Sequence, residues 1–69
     1  MNQIPLTVNG EAREVPAATT LDTVVSQLSA SSGGVAAAVN EAVVPRSSWN
    51  ATVLSPGDRV EILTAVQGG

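Results

Sequence analysis

Few side chains in this sequence could do covalent or acid–base chemistry. His, Cys, Lys and Tyr are all absent, which removes the usual general bases, the imidazole and thiolate metal ligands and most covalent nucleophiles. The six carboxylates, Glu11, Glu14, Asp22, Glu41, Asp58 and Glu61, sit beside expected turns or strand ends without metal-ligand spacing. They read as solvated surface charge. What remains is the α-carboxylate of Gly69, which closes the run Val66-Gln67-Gly68-Gly69, its two glycines lying past the last apolar residue. That carboxylate is the candidate functional group, and an enzyme acting alone is not expected.

The bulk composition narrows the partners. The cations are Arg13, Arg46 and Arg59, far apart in sequence, and the net charge is −3. A nucleic-acid footprint needs clustered basic residues, so nucleic acid is excluded. No apolar run approaches the roughly 20 residues that cross a bilayer, and no basic-then-apolar leader opens the chain. With no cysteine to form disulfides, a cytoplasmic location is the expectation.

Sixty-nine residues make one domain, which buries only about 60% of the surface its unfolded form exposes. Phe and Tyr are missing and Trp49 is the single aromatic, so eleven valines with Leu, Ile and Ala must fill the core. Such β-branched content favours sheet.

The elements that would position the tail follow from local pattern. Ile4, Leu6 and Val8 alternate with Pro5 and Thr7, a half-buried strand, and Asn9-Gly10 is a type I′ hairpin signal. Pro5 has no N–H, so its nitrogen should face away from a pairing partner. Arg13 to Val15 forms the return strand, closed by Pro16. Leu21, Val24, Val25 and Leu28 fall on one helical stripe, with Thr19 and Asp22 at capping-box spacing and Asp22 complementing the dipole. A helix of about ten residues is marginal alone and must lie on the sheet. Ser29 to Gly34 ends it; Gly33-Gly34 follows a helix and precedes no Lys, so it reads as a loop rather than a phosphate cradle.

Val35 to Val39 is a third strand, and Asn40-Glu41-Ala42 turns into the short piece Val43-Val44, ended by Pro45. Arg46 to Trp49 suits one 3₁₀ turn. Trp49 is expected as a packing plug over one end of the sheet; Arg46 lies along the sheet, reaches carbonyls or meets an acidic partner. Ser55-Pro56-Gly57-Asp58 is a turn. In the last strand, Arg59 to Val66, Val60 and Ile62 face the core, leaving Glu61, Leu63 and Ala65 on the other face, where they form a candidate docking patch. Hairpin, helix, strand, short strand, strand is the order of a ubiquitin-like β-grasp, an α+β fold with a mixed sheet of four to five strands on one helix. Residues 1–65 would be the domain and 66–69 a flexible tail.

The sequence resembles the ThiS-type sulfur carriers of thiamin biosynthesis. The resemblance rests on the run Val39-Asn40-Glu41-Ala42-Val43-Val44-Pro45-Arg46-Ser47-Ser48-Trp49, on Pro56-Gly57-Asp58 and on the strand ending in Gly68-Gly69. Thr64-Ala65-Val66-Gln67 stands where the small subunit of molybdopterin synthase usually has aromatics, which favours the thiamin branch. The resemblance implies that a ubiquitin-activating-enzyme-like adenylyltransferase (ThiF-type) uses ATP and magnesium to adenylate Gly69. Sulfur from a cysteine desulfurase relay then makes a thiocarboxylate there, to be delivered to thiazole synthase (ThiG-type). The chain itself would hold no cofactor and would be a monomer when free. Val66, Gln67 and Gly68 would thread the partner's channel, where glycine permits close approach of the walls. Two alternatives stay open: a carrier for molybdopterin or another pathway, and a non-covalent β-grasp interaction module whose tail is passive.

Overall fold

The computed structural model describes residues 2–28 and 34–64. In chain order they form β1 (Gln3–Val8), β2 (Glu11–Pro16), α1 (Leu21–Leu28), β3 (Val35–Val39), β4 (Ala42–Val44), a 3₁₀ segment (Arg46–Ala51) and β5 (Arg59–Thr64). The strands make one mixed sheet in the order β2-β1-β5-β3-β4. Its central pair, β1 and β5, is parallel at Thr7 with Arg59 and Val8 with Val60, and the other neighbours are antiparallel. This is the β-grasp arrangement the element order suggested.

Two tight hairpins set the register. Asn9 and Gly10 have φ of 52° and 81°, the doubly positive geometry of a type I′ turn, and β2 pairs with β1 from Val8 with Glu11 back to Gln3 with Pro16. The second hairpin turns at Asn40 and Glu41, φ 52° and 72°. Pro5 is accommodated as expected. Its carbonyl accepts from Gly57 N at 2.7 Å, so its nitrogen points to the β5 side at a place where the parallel ladder has not yet begun.

The helix starts one residue later in register than the capping-box spacing implied. Thr20, not Thr19, precedes its first turn: the Thr20 carbonyl accepts from Thr23 N and Val24 N, while the Thr20 hydroxyl bonds the Asp22 carboxylate. Thr19 is committed elsewhere, with its hydroxyl on the Pro16 carbonyl at 2.6 Å and its own carbonyl accepting from Leu54 N. Thr20 bridges Val53, which leaves it extended, as an N-cap must be.

Leu21, Val24 and Val25 are buried against the sheet, but Leu28 is 40% exposed, so the stripe packs over its first two turns only. The core joins these three to Ile4, Leu6, Val8, Val15, Ala37, Leu54, Val60, Ile62 and Trp49. Trp49 closes one end as anticipated: its Nε1 donates to the Val44 carbonyl at 2.8 Å. The Arg46 guanidinium lies over its ring, 5.3 Å from the centroid. The 3₁₀ segment around it runs on to Ala51, longer than the single turn expected, because Thr52 N and the Thr52 hydroxyl bond back to Trp49 and Ser48 carbonyls. The turn into β5 is as read, with Gly57 at φ 84° and Asp58 N donating to the Ser55 carbonyl at 3.1 Å.

Candidate functional site

β5 is the element that carries the chain toward Gly69. It is a central strand, paired with β3 from Val39 with Val60 to Val35 with Thr64. On its other side the ladder to β1 ends at Val60. Side-chain amides of the two hairpin tips extend the grip. Asn9 Oδ1 accepts from Ile62 N at 2.9 Å and Asn9 Nδ2 donates to the Ile62 carbonyl at 3.2 Å. Asn40 Oδ1 accepts from Arg59 N at 2.9 Å, and Asn40 Nδ2 donates to Asp58 Oδ1 at 3.0 Å.

Alternation then assigns the faces. Val60 and Ile62 point under α1 and are buried, as read from sequence, while Glu61 and Leu63 lie on the open face. Leu63 is 66% exposed. Its neighbours there were not legible beforehand. Ala36 pairs with Leu63, and Ala38 sits between Glu61 and Val43, so Val43, 76% exposed, joins the same apolar strip. Only the register of three strands brings these residues together. Ala65, Val66, Gln67, Gly68 and Gly69, which complete the expected docking patch and tail, lie outside the described residues.

Several of the charged groups are held in structural bonds. Arg13 donates to Glu11 at 2.8 Å and Arg59 to Glu41 at 3.2 Å, both on the surface, where such pairs stabilise little. Asp58 accepts from Ser55 N at 2.8 Å as well as from Asn40. A groove of about 400 Å³ lies where β5 passes the first hairpin, lined by Val8, Asn9, Glu11, Arg13, Leu28, Ile62 and Thr64. Its ionisable groups, among the described residues, are the Glu11–Arg13 pair. Among the described residues no cluster of three or more His, Cys, Asp or Glu could hold a metal, and no helix is long and apolar enough to cross a membrane.

Comparison with known proteins gives a consistent answer. The sequence profile of the ThiS family matches residues 6–69. The chain is 30% identical over 61 residues to the sulfur carrier protein ThiS of Escherichia coli, covering 88% of this chain and 92% of that protein. It is 34% identical over 64 residues to a thiazole synthase of Paramagnetospirillum magneticum; the match takes in 93% of this chain but spans only 20% of that relative's length. In structure it resembles the crystal structure of a thiamine biosynthesis protein, ThiS, from Geobacter metallireducens, with a TM-score of 0.78 and 33% identity over 96% of this chain and all of that one. The solution structure of a thiamine biosynthesis protein from the same organism gives a TM-score of 0.76 at 32% identity, covering 96% of this chain and 88% of that one. The likeness covers the sheet, its single helix and the sequence through the diglycine, and on it the chain belongs to the ThiS family.

Proposed function

We propose that the chain carries sulfur on its Gly69 carboxylate for thiazole formation in thiamin biosynthesis. The observation that carries this is the family match running through residue 69; in the described body four of the six side-chain carboxylates, Glu11, Asp22, Glu41 and Asp58, are held in structural bonds. A carboxylate is a poor electrophile. A ubiquitin-activating-enzyme-like adenylyltransferase of the ThiF type therefore activates it: a Gly69 oxygen attacks the α-phosphorus of ATP and pyrophosphate leaves. The outer sulfur of a persulfide from a cysteine desulfurase relay then attacks the carbonyl carbon, and the bond to AMP breaks. A thiol reductant cleaves the S–S bond of the resulting acyl disulfide and is itself oxidised to a disulfide. Gly69 is left as a thiocarboxylate, a nucleophile suited to delivering sulfur to a thiazole synthase of the ThiG type. ATP and magnesium belong to the activating partner. The chain is co-substrate rather than catalyst, and its place is the cytoplasm.

The body supplies the handle. Leu63, Glu61 and Ala65 dock on the partner by the open face of the sheet, and burying Leu63 there contributes about 1.5 to 3 kcal/mol. Val66, Gln67, Gly68 and Gly69, extended, reach about 13 to 14 Å into the channel. The 34% identity to a segment of a thiazole synthase supports that enzyme as the receiver, because there a similar sequence is part of the same polypeptide. Appending one residue after Gly69 tests the reading, since it moves the carboxylate by about 3.5 Å. Docking should persist and sulfur transfer to thiazole synthase should be abolished. Sulfur transfer retained by the extended chain would overturn the assignment of Gly69.

A further inference from the structure

We propose that Asn9 is a positioning residue: its side-chain amide fixes the exit of β5 from the sheet, and so the path along which the reactive tail is presented. The proposal rests on the reading of Gly69 as the reactive end. Asn9 has a local reason to be asparagine, because its φ of 52° lies in the left-handed region, which asparagine tolerates better than most residues. That reason does not require its carboxamide to bond anything distant. Yet the carboxamide both donates to and accepts from the main chain of one residue, Ile62, 53 positions away.

The geometry is that of a strand residue. Main-chain Asn9 N donates to the Val60 carbonyl at 2.8 Å, after which the chain turns away at Gly10 and the ladder would stop. The carboxamide then offers Ile62 an acceptor and a donor in the places where the next peptide of β1 would offer them. β5 is thereby gripped on both sides through Ile62, two residues before the end of its described part. Without that amide it would be paired on the β3 side alone from Glu61 onward. A strand end held on one side frays, and ordering it again is charged to partner binding. Asn40 makes an instructive contrast, because it holds Arg59 at the opposite end of the same strand.

Asn9→Gly separates the two roles. Glycine accepts the positive φ at least as well, so the hairpin keeps its turn and only the amide is lost. Amide exchange at Ile62 should accelerate about tenfold, the scale of one or two lost hydrogen bonds, with core amides such as Leu6 and Val60 changing much less. In steady-state adenylation with the ThiF-type partner, KM for the carrier should rise several-fold while kcat stays within about twofold, since the cost falls on binding. Asn9→Asp, which also tolerates the turn but sets a carboxylate oxygen against the Ile62 carbonyl, should lose as much. Asn40→Gly should leave KM near that of the parent. Unchanged exchange at Ile62, or an unchanged KM in both Asn9 variants, overturns the proposal. Failure of the parent chain to be adenylated would strike the sulfur-carrier reading instead, and the exchange at Ile62 would still decide whether the amide holds the strand.

Discussion

The two faces of the sheet are built from the same few residue types and do different work. Under α1 lie Ile4, Leu6, Val8, Val60 and Ile62, joined by Leu21, Val24 and Trp49. On the open face Val43 and Leu63 stand exposed, with Ala36 and Ala38 between them in the sheet. β5 contributes to both at once, Val60 and Ile62 inward and Glu61 and Leu63 outward. One strand thus ties the stability of the body to the surface beside the tail, yet residue by residue the two properties are separable. The covered face should respond to substitution in folding and the open face in partner binding.

The largest effect should come from the covered face. Trp49→Ala removes the plug, its hydrogen bond to Val44 and the ring beneath Arg46, and should cost about 3 to 5 kcal/mol of unfolding free energy, read from denaturant titration. In a domain this small that is a large share of the total. A loss well under 1 kcal/mol would show that the Trp49 end is not part of the cooperative core.

Leu63→Ser should show the reverse pattern. Stability should move by no more than about 0.5 kcal/mol, as is usual for an exposed side chain. Affinity for the activating partner should fall about tenfold or more, following the burial of an apolar side chain at the contact. Equal affinity for the two chains, measured by titration calorimetry, would remove Leu63 from the docking surface. A change in stability as large as that at Trp49 would erase the contrast between the faces.

The smallest expected effect lies at the turn before α1. Ala18 has φ of 72°, a left-handed conformation that costs a residue with a Cβ roughly 1 to 2 kcal/mol. Ala18→Gly relieves that cost and adds the roughly 0.5 to 1 kcal/mol glycine loses in freedom on folding. A net gain of about half a kcal/mol is expected, seen as a modest rise in Tm with partner affinity unchanged. A destabilised Ala18→Gly chain would show that the positive φ carries no strain.

What was legible in the sequence followed the range of the interactions. Asn9-Gly10, the period of Leu6 and Val8, and the spacing of Leu21, Val24 and Val25 are local signals, and each element formed where they placed it. Choices between equivalent neighbours were not legible. Thr19 and Thr20 can both cap, and the bridge of Thr20 to Val53 decided between them. Leu28 completes the stripe by spacing, but it reaches past the part of α1 that the sheet covers.

The open face was legible only in part. Glu61 and Leu63 could be placed outward from β5 alone. The run Val35-Ala36-Ala37-Ala38-Val39 does not say which alanines face outward, and the pairing of Ala36 with Leu63 required the fold. The bonds between Asn9 and Ile62 span the length of the domain in sequence, and the turn signal already accounted for the asparagine.

The central claim is that Gly69 carries the sulfur. Its most direct test is intact mass spectrometry of the purified chain after incubation with the ThiF-type adenylyltransferase, ATP and a sulfur donor, with fragmentation to place the change. The account predicts one oxygen replaced by sulfur, located at Gly69. An unchanged mass, with an adenylyltransferase shown to be active on another carrier in the same buffer, would contradict it.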